Sequence, residues 1–373
     1  MPSPTFPPFV LAHGRAALLA VPLREPFVIA TATMLATRAV LVELTLDDGS
    51  TGIGEGATLP PVTHEDERTV LARINAWLAE NVGKRFAGPD LQEALEGLDD
   101  APVTRAALEC ALLDALARRA QRTVRGLFAQ GAQNTEAPME SDITIPILPA
   151  AQMLTLAQGW FAKGFRAFKV KVGIDADGDL EAIRSIAQAL PGVRFRLDAN
   201  GGYTAAQALH VVQALQRALV LVECFEQPCD RSDMEGMAKV ARESSVPVVA
   251  DESLRGEDDL ARLIQHKAAQ GINLKLAKLG GFVRAHEIAS RARAQGLTLM
   301  IGGMVETRVG MNAAAQLGFA LGGCDYADMD TAWLLSEDPF HGGYRDDGPL
   351  LHPDGDRGFG VALSPGERSR FFA

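Results

Sequence analysis

From Ala167 onward, short β-branched or apolar runs return roughly every 26 residues, about the length that a strand, a helix and two short loops require. The runs are Ala167–Val172, Arg194–Asp198, Leu221–Glu226, Val246–Asp251, Ile272–Leu276, Leu297–Ile301 and Asp325–Asp330, with Ile143–Ile147 ahead of them. Amphipathic stretches such as Ala151–Lys163, Ala205–Arg217 and Arg284–Gln295 fall between the runs. Eight strands alternating with helices imply parallel pairing, because a parallel neighbour is reached only by a long crossover. Spacing alone allows an open doubly wound sheet or a closed (β/α)₈ barrel of TIM type. The chemistry at the strand ends favours the barrel.

The first part of the chain has a different texture. Ala39–Leu46 (AVLVELTL) reads as a strand, and Asp47-Asp48-Gly49-Ser50 supplies the turn of a hairpin into Thr51–Glu55. His64–Leu78 and Val103–Ala120 carry helical periodicity. The expected organisation is an α+β capping domain over residues 1–125, a (β/α) barrel over 126–340, and a segment, 341–373, that packs back on the cap. That last segment is rich in Gly, Pro and Asp and shows no clear helix.

Composition removes several functions. Hydrophobic residues make up 47% of 373 and charged residues 22%, as in a globular protein with a large core. A net charge of -11 argues against a nucleic-acid partner. No apolar run approaches the roughly 20 residues needed to span a bilayer. The N-terminus lacks a basic stretch ahead of an apolar one, so no membrane association or cleaved signal is expected. Cys110, Cys224, Cys229 and Cys324 form no CxxC pair and fit a cytoplasmic protein with reduced thiols. Self-association into a homo-oligomer stays open. Gly52-Ile53-Gly54-Glu55-Gly56 follows a hairpin turn rather than opening a helix, which argues against a phosphate cradle. His64, His210, His266 and His286 fall in predicted helices as surface or packing residues, and Trp333 is a candidate wall for a substrate.

Polar residues gather at the C-terminal ends of the strands, which in a barrel converge on one mouth. The text there reads Phe168-Lys169-Val170-Lys171, Asp198-Ala199-Asn200, Phe225-Glu226-Gln227-Pro228, Ala250-Asp251-Glu252-Ser253, Asn273-Leu274-Lys275 and Asp328-Met329-Asp330. Residues two apart on a strand share a face, which pairs Lys169 with Lys171, Asp198 with Asn200 and Asp328 with Asp330. Asp198, Glu226 and Asp251 come from three consecutive strands, and their like charges repel unless neutralised. Mg²⁺ resolves that repulsion, because it takes a few carboxylates and leaves positions open for substrate oxygens. Any one of these acids could equally be an ordinary helix cap, but three at successive strand ends favour the metal. Lys171 precedes the trio in strand order and Lys275 follows it, so around a closed barrel two amines flank a central substrate. Either can be a general base if burial and nearby positive charge lower its pKa, and Lys169 and the metal supply such charge. Mg²⁺ and Lys169 would stabilise the enediolate left when a proton departs next to a carboxylate. Bases on both faces suit 1,1-proton transfer, whereas a solvated Lys275–Lys278 pair is the bland alternative.

The segments FKVKVG (Phe168–Gly173), LDANGGY (Leu197–Tyr203), FEQP (Phe225–Pro228), ADES (Ala250–Ser253) and INLKLAKLGG (Ile272–Gly281) together resemble the enolase superfamily, in its muconate-lactonising subgroup. The strand Ala39–Leu46 and the helix Ala107–Arg119 are similar to its capping domain. The resemblance implies Mg²⁺ on Asp198, Glu226 and Asp251, acid/base roles for Lys171 and Lys275, and Lys169 beside the substrate carboxylate. It makes Asn200, Glu252 and Glu306, with Thr307, supporting residues. Asp328-Met329-Asp330 is similar to the Asp-x-Asp of dipeptide epimerases, whose acids hold the free ammonium of a dipeptide. The implied activity is Mg²⁺-dependent epimerisation of L-Ala-L-Xaa dipeptides at the second residue. N-acyl amino acid racemase or succinylbenzoate synthase is the nearest alternative, then a cycloisomerase, and a non-catalytic barrel is the alternative of another class. Members selective for L-Ala-L-Glu carry a loop arginine after a Pro-Phe pair. Here Pro26 to Leu35 holds none, with Arg24 before it and Arg38 in the next strand, so a non-acidic second residue is expected.

Overall fold

The structure, a computed structural model, describes residues 4–29, 32–60, 62–88, 91–129 and 131–372. The β-branched run Ala39–Leu46 (β4) sits in a sheet with partners that its own pattern does not reveal. It pairs antiparallel with β1 (Phe9–Leu19), and the hairpin β2 (Pro22–Ile29)–β3 (Ala32–Ala36) branches off between them. β5 (Thr51–Ala57) follows the Asp47–Ser50 turn, where Gly49 takes a φ of +84° and Asp48 accepts from the Ser50 N–H at 3.0 Å. With β6 (Arg85–Phe86) the sheet order is β5-β4-β1-β6. Helix α1 (Glu67–Asn81) begins after His64, because Asp66 caps it by accepting from the Thr69 N–H at 2.8 Å.

The glycine-rich stretch in β5 serves packing. A Cβ on Gly52 or Gly54 would lie 2.1 Å from a backbone oxygen of helix α2 (Pro102–Arg119), so the strand lies directly on the helix. All but a few residues of α2 are buried, which accounts for its Ala-rich sequence. The short helix α3 (Val124–Phe128) and strand β7 (Met139–Glu140) lead into the barrel.

Eight parallel strands follow in chain order: β8 (Ile143–Ile145), β9 (Ala167–Lys171), β10 (Arg194–Asp198), β11 (Val222–Glu226), β12 (Val248–Ala250), β13 (Gly271–Leu274), β14 (Thr298–Gly302) and β15 (Tyr326–Asp328). Each is adjacent to the next. The seam between last and first is closed by the Ser141–Ala327 bridge and by the Asp142 N–H donating to the Ala327 oxygen at 2.9 Å. The outer ring is α4 (Ala150–Ala162), α5 (Ala176–Ala189), α6 (Ala205–Arg217), α7 (Met234–Glu243), α8 (Glu257–His266), the one-turn α9 (Leu276–Leu279), α10 (Phe282–Ala294), α11 (Arg308–Ala320) and the one-turn α12 (Thr331–Leu334). Outward strand residues such as Phe168, Val170, Phe195, Leu197 and Phe225 join the main core against these helices. Cys224, Val249 and Met300 form a separate apolar cluster.

Beyond the barrel the chain is more ordered than its Gly/Pro content suggests. It forms β16 (Phe340–Gly342), β17 (Tyr344–Asp347), β18 (Leu350–Pro353), β19 (Val361–Leu363) and a single turn, α13 (Arg368–Phe371). β18 pairs with β7, while the Phe359 N–H donates to Asp114 of α2 at 2.7 Å. No helix among the described residues is long and apolar enough to cross a membrane.

Candidate active site

Inward positions on the barrel strands carry the charge. Lys169 and Lys171 are successive inward residues of β9, while Asp198 and Glu226 end β10 and β11 as direct register partners. Asp251 lies just past β12, Lys275 just past β13, Asp328 at the end of β15 and Asp330 two residues on. All eight are buried. Isolated charges so placed would be costly, and the structure pairs most of them. The Lys171 ammonium donates to Asp198 at 2.5 Å, and Lys275 donates to Asp251 at 2.7 Å. These two lysines stand on the second and sixth of eight strands, hence on opposite sides of the barrel, and both line one cleft.

Lys169 shares the inward face of β9 with Lys171. It is fully buried one inward position below Lys171, with Asp198 at 3.1 Å, Glu226 at 2.7 Å and Asp328 at 2.7 Å. From there its ammonium pairs with three acids at once.

The surrounding polar residues fix the acids. Asn200 donates through its side chain to Glu252 at 3.0 Å and through its backbone to Asp198 at 2.9 Å. Glu306 accepts from the Met304 N–H, and the backbone of Thr307 donates to Glu55 of the cap. Sequence reasoning missed several partners. Asn273 donates to Glu226 at 2.8 Å, and the Gln227 side chain accepts from the Asp251 N–H at 3.0 Å. Lys278 is no solvated neighbour of Lys275. It is buried and donates to both the Asp251 carboxylate (2.5 Å) and the Asp251 backbone oxygen (2.6 Å). Its signal was the three-residue spacing from Lys275, which puts both on one side of a helical turn. Asp142, just before β8, pairs with Arg196 at 2.9 Å. Oxygens of Asp142, Asp328 and Asp330 lie within 4.8 Å of one another. No such close set contains Asp198, Glu226 and Asp251, whose carboxylates the lysines hold.

Burial alone would raise Asp198 and Asp251, but Lys169 and Lys171 outweigh it at the first, as Lys275 and Lys278 do at the second. Both acids stay well below the usual range. Glu226 is pushed up to about 7 by burial and Asp198, Glu252 to about 7 by burial and Asp251, and Asp330 to about 6 by burial and Asp328. Burial disfavours charge on Lys275, yet Asp251 outweighs it and holds the amine above its ordinary range. The strongest neighbour of Lys275 is thus a carboxylate that is also a candidate Mg²⁺ ligand, and bound Mg²⁺ would compete with the amine for it. The donor set fits Mg²⁺: three buried carboxylates stand at adjacent strand ends, and their charge is balanced here by the lysines around them.

The cap supplies the cleft's roof. Phe27, Ile29, Met34, Leu59 and Val62 face Lys171, Lys275, Asp328 and Asp330 across it. Residues 30 and 31 of the loop considered above lie outside the described residues. Arg24 donates to the Leu335 oxygen at 2.7 Å, and Arg38 pairs with Glu67. Trp333 does not wall the cleft; it packs edge-on against Phe165 and donates to Asp346, and the neighbouring Leu334 faces an adjoining cavity instead. His64 lies outside any helix, in contact with Arg255.

A closed eight-stranded barrel with lysines on opposing strands, an acidic trio between them and an antiparallel cap defines the class, and comparison with known proteins specifies it. Residues 152–367 match the family model described as enolase C-terminal domain-like, and residues 15–128 match the mandelate racemase/muconate lactonizing enzyme N-terminal domain. The chain is 40% identical over 341 residues to an L-Ala-D/L-amino acid epimerase of Populus trichocarpa, covering 89% of this chain and 80% of that one. It is 35% identical over 347 residues to an aromatic dipeptide epimerase of Herpetosiphon aurantiacus, covering 92% and 96%. The crystal structure of a dipeptide epimerase from Enterococcus faecalis V583, complexed with Mg and the dipeptide L-Leu-L-Tyr, superposes with a TM-score of 0.86 at 29% identity over 95% of this chain and 99% of that one. The chain belongs to the mandelate racemase/muconate lactonizing enzyme family of the enolase superfamily and is an isomerase of the racemase and epimerase kind.

Proposed function

We propose that the protein is a Mg²⁺-dependent epimerase of dipeptides with a free amino terminus, inverting the α-carbon of the C-terminal residue. The observation that carries this reading is the placement of Lys171 and Lys275 on opposing strands with Asp328 and Asp330 at one end of their shared cleft. Asp198, Glu226 and Asp251 hold the cation, which when bound supplies positive charge to the substrate carboxylate. One lysine removes the α-proton and the other returns a proton to the opposite face. Lys169 keeps Asp198, Glu226 and Asp328 in place from below, and Asn200, Glu252 and Glu306 steady the surrounding shell. Asp330 Oδ1 is buried without a hydrogen-bond partner, so an arriving ammonium meets an acceptor already desolvated. N-acyl substrates have no charge to place there.

The side chain of the inverted residue sits under Phe27, Ile29, Met34 and Val305, which cluster together in the roof of the cleft. Among the described residues no arginine lines that cleft, so apolar second residues are preferred over glutamate. In the same reading, residues 1–125 form the roof-bearing cap, 126–340 the catalytic barrel and 341–373 the clasp between them. The free thiols of Cys110, Cys224, Cys229 and Cys324 suit work in the cytoplasm.

The test is isotope exchange in deuterated water with Mg²⁺ and an L-Ala-L-Xaa library. Deuterium enters the second α-carbon, with apolar Xaa ahead of Glu. Exchange confined to N-succinyl amino acids would identify an acyl-amino-acid racemase, and no exchange with any carboxylate substrate would leave a non-catalytic barrel.

A further inference from the structure

A second cavity, about 240 Å³, adjoins the catalytic cleft and shares Phe27 and Thr144 with it. We propose that this cavity receives the side chain of the N-terminal residue of the substrate, and that the protein acts on dipeptides whose first residue is large and apolar rather than on L-Ala-L-Xaa alone. The inference rests on the dipeptide reading above.

The order of groups around the barrel assigns the occupant. The acids of β10 to β12 take the substrate's carboxylate end, and Asp328 and Asp330 after β15 take its ammonium. The next strand past the seam is β8, whose Thr144 N–H donates to Asp330 at 2.5 Å and whose residue lines both spaces. A substrate anchored in this order brings the first α-carbon to the mouth of the cavity. Its amino terminus is held, so no further residue can extend there, and only the first side chain is free to enter.

The walls suit an apolar group. Pro26, Phe27, Pro146, Leu156, Trp160 and Leu334 line most of the cavity, and Arg24, Glu25 and Lys163 line the rest with Thr144, Thr155 and Gly159. Lys163 is drawn over the Trp160 ring, 3.9 Å from its centroid, and Arg24 is tied to Leu335, so both charges have partners. The space is ample for an aromatic or branched aliphatic side chain and far exceeds a methyl group. Helix α4 supplies one wall and carries Gly159 inside its length, where glycine weakens a helix. No packing requirement explains that glycine, because a Cβ there would meet nothing within 4 Å. A side chain at Gly159, or at Thr155 one turn earlier, would grow into open space that the cavity shares.

The experiment compares kcat/KM for two series on the intact protein with Mg²⁺: L-Ala-, L-Leu- and L-Phe-L-Val, varying the first residue, and L-Ala-L-Ala, -Leu and -Phe, varying the second. Wild-type protein is expected to favour L-Leu- or L-Phe-L-Val over L-Ala-L-Val by roughly tenfold or more. Gly159→Leu, and independently Thr155→Phe, should lower that ratio by roughly tenfold while leaving the ranking of the second-residue series in place. No first-residue preference in the wild type, or variants that disturb the second-residue series instead, would overturn the proposal while the epimerase reading stands on the L-Ala-L-Val rate. Absence of turnover for every dipeptide would remove the epimerase reading, and this proposal with it.

Discussion

Lys278 holds Asp251 by two atoms at once, donating to its carboxylate at 2.5 Å and to its backbone oxygen at 2.6 Å. Burial depresses the Lys278 amine below the ordinary lysine range against the pull of Asp251, so the ammonium is kept at an electrostatic disadvantage. That is the mark of a residue retained for geometry. Lys278→Met should weaken Mg²⁺ affinity by roughly 10–100-fold through loss of the Asp251 orientation. Titrating activity against Mg²⁺ checks this, with Lys278→Arg restoring part of the affinity. An unchanged Mg²⁺ dependence would mean that Asp251 needs no such support.

Opposed bases make a sharper demand. Lys171→Ala and Lys275→Ala should each reduce interconversion of the diastereomers by at least about 10²–10⁴-fold. Each variant should still exchange the α-proton of one diastereomer with deuterium, and the two should retain opposite ones. NMR of each purified diastereomer in deuterated water reads this directly. Loss of exchange from the same diastereomer in both variants would place the lysines on one face.

Ionisation of Asp330 should appear in the pH profile. Burial and Asp328 raise it to about 6, and only its charged form attracts an ammonium. Below that value the protonated fraction grows with falling pH, so KM for a dipeptide should rise on the acid side. Asp330→Asn should raise KM at neutral pH and flatten the acid limb, while kcat changes less. An acid limb that persists in this variant would assign the titration to another group.

Cap and barrel meet at Glu55, which accepts from the Thr307 backbone N–H at 3.1 Å, its hydroxyl at 2.6 Å and the Gly310 N–H at 3.0 Å, at the start of α11. Burial and Glu306 raise Glu55 to about 8. A carboxyl raised in the folded state contributes stability that is complete below its unfolded pKa and is lost as pH climbs through the folded value. Thermal stability should therefore decline between about pH 5 and pH 8, and Glu55→Gln should make the curve flatter over that window. Melting temperatures across the range test it, and parallel curves for the two proteins would rule it out.

The barrel was legible because short apolar runs recur at a steady spacing and six of the eight lead into charged residues at their C-terminal ends. Lys171, Lys275 and the acids of β10 to β12 could be found that way. Periodicity placed Lys169 on the same face as Lys171 but could not show its three acidic partners, since it gives the face of a strand and not the depth along the barrel axis. Asp142 and Arg196 were missed because one precedes its strand and the other sits in the barrel interior, where a charged residue is visible only once its partner from across the seam is known. The segment from Pro26 to Leu35 reads as a loop rather than a hairpin for a related reason: Phe27, Ile29 and Met34 face the cleft and Val305 rather than the main core, so their spacing follows the roof they build. A solvated Lys278 stayed open as an alternative because a helical turn of four residues is too short to show an apolar stripe.

The seam of the barrel bears on how the protein comes into being. Thr144 and Asp330 stand 186 positions apart in the chain yet share a hydrogen bond, and Asp142 meets Ala327 beside them. A chain leaving the ribosome has Lys171, the three acids Asp198, Glu226 and Asp251, and Lys275 before it has Asp328 and Asp330. The end of the site proposed to meet the substrate's ammonium is thus the last part to be delivered, and a nascent barrel lacking its eighth strand would have no such anchor until synthesis passes Asp330.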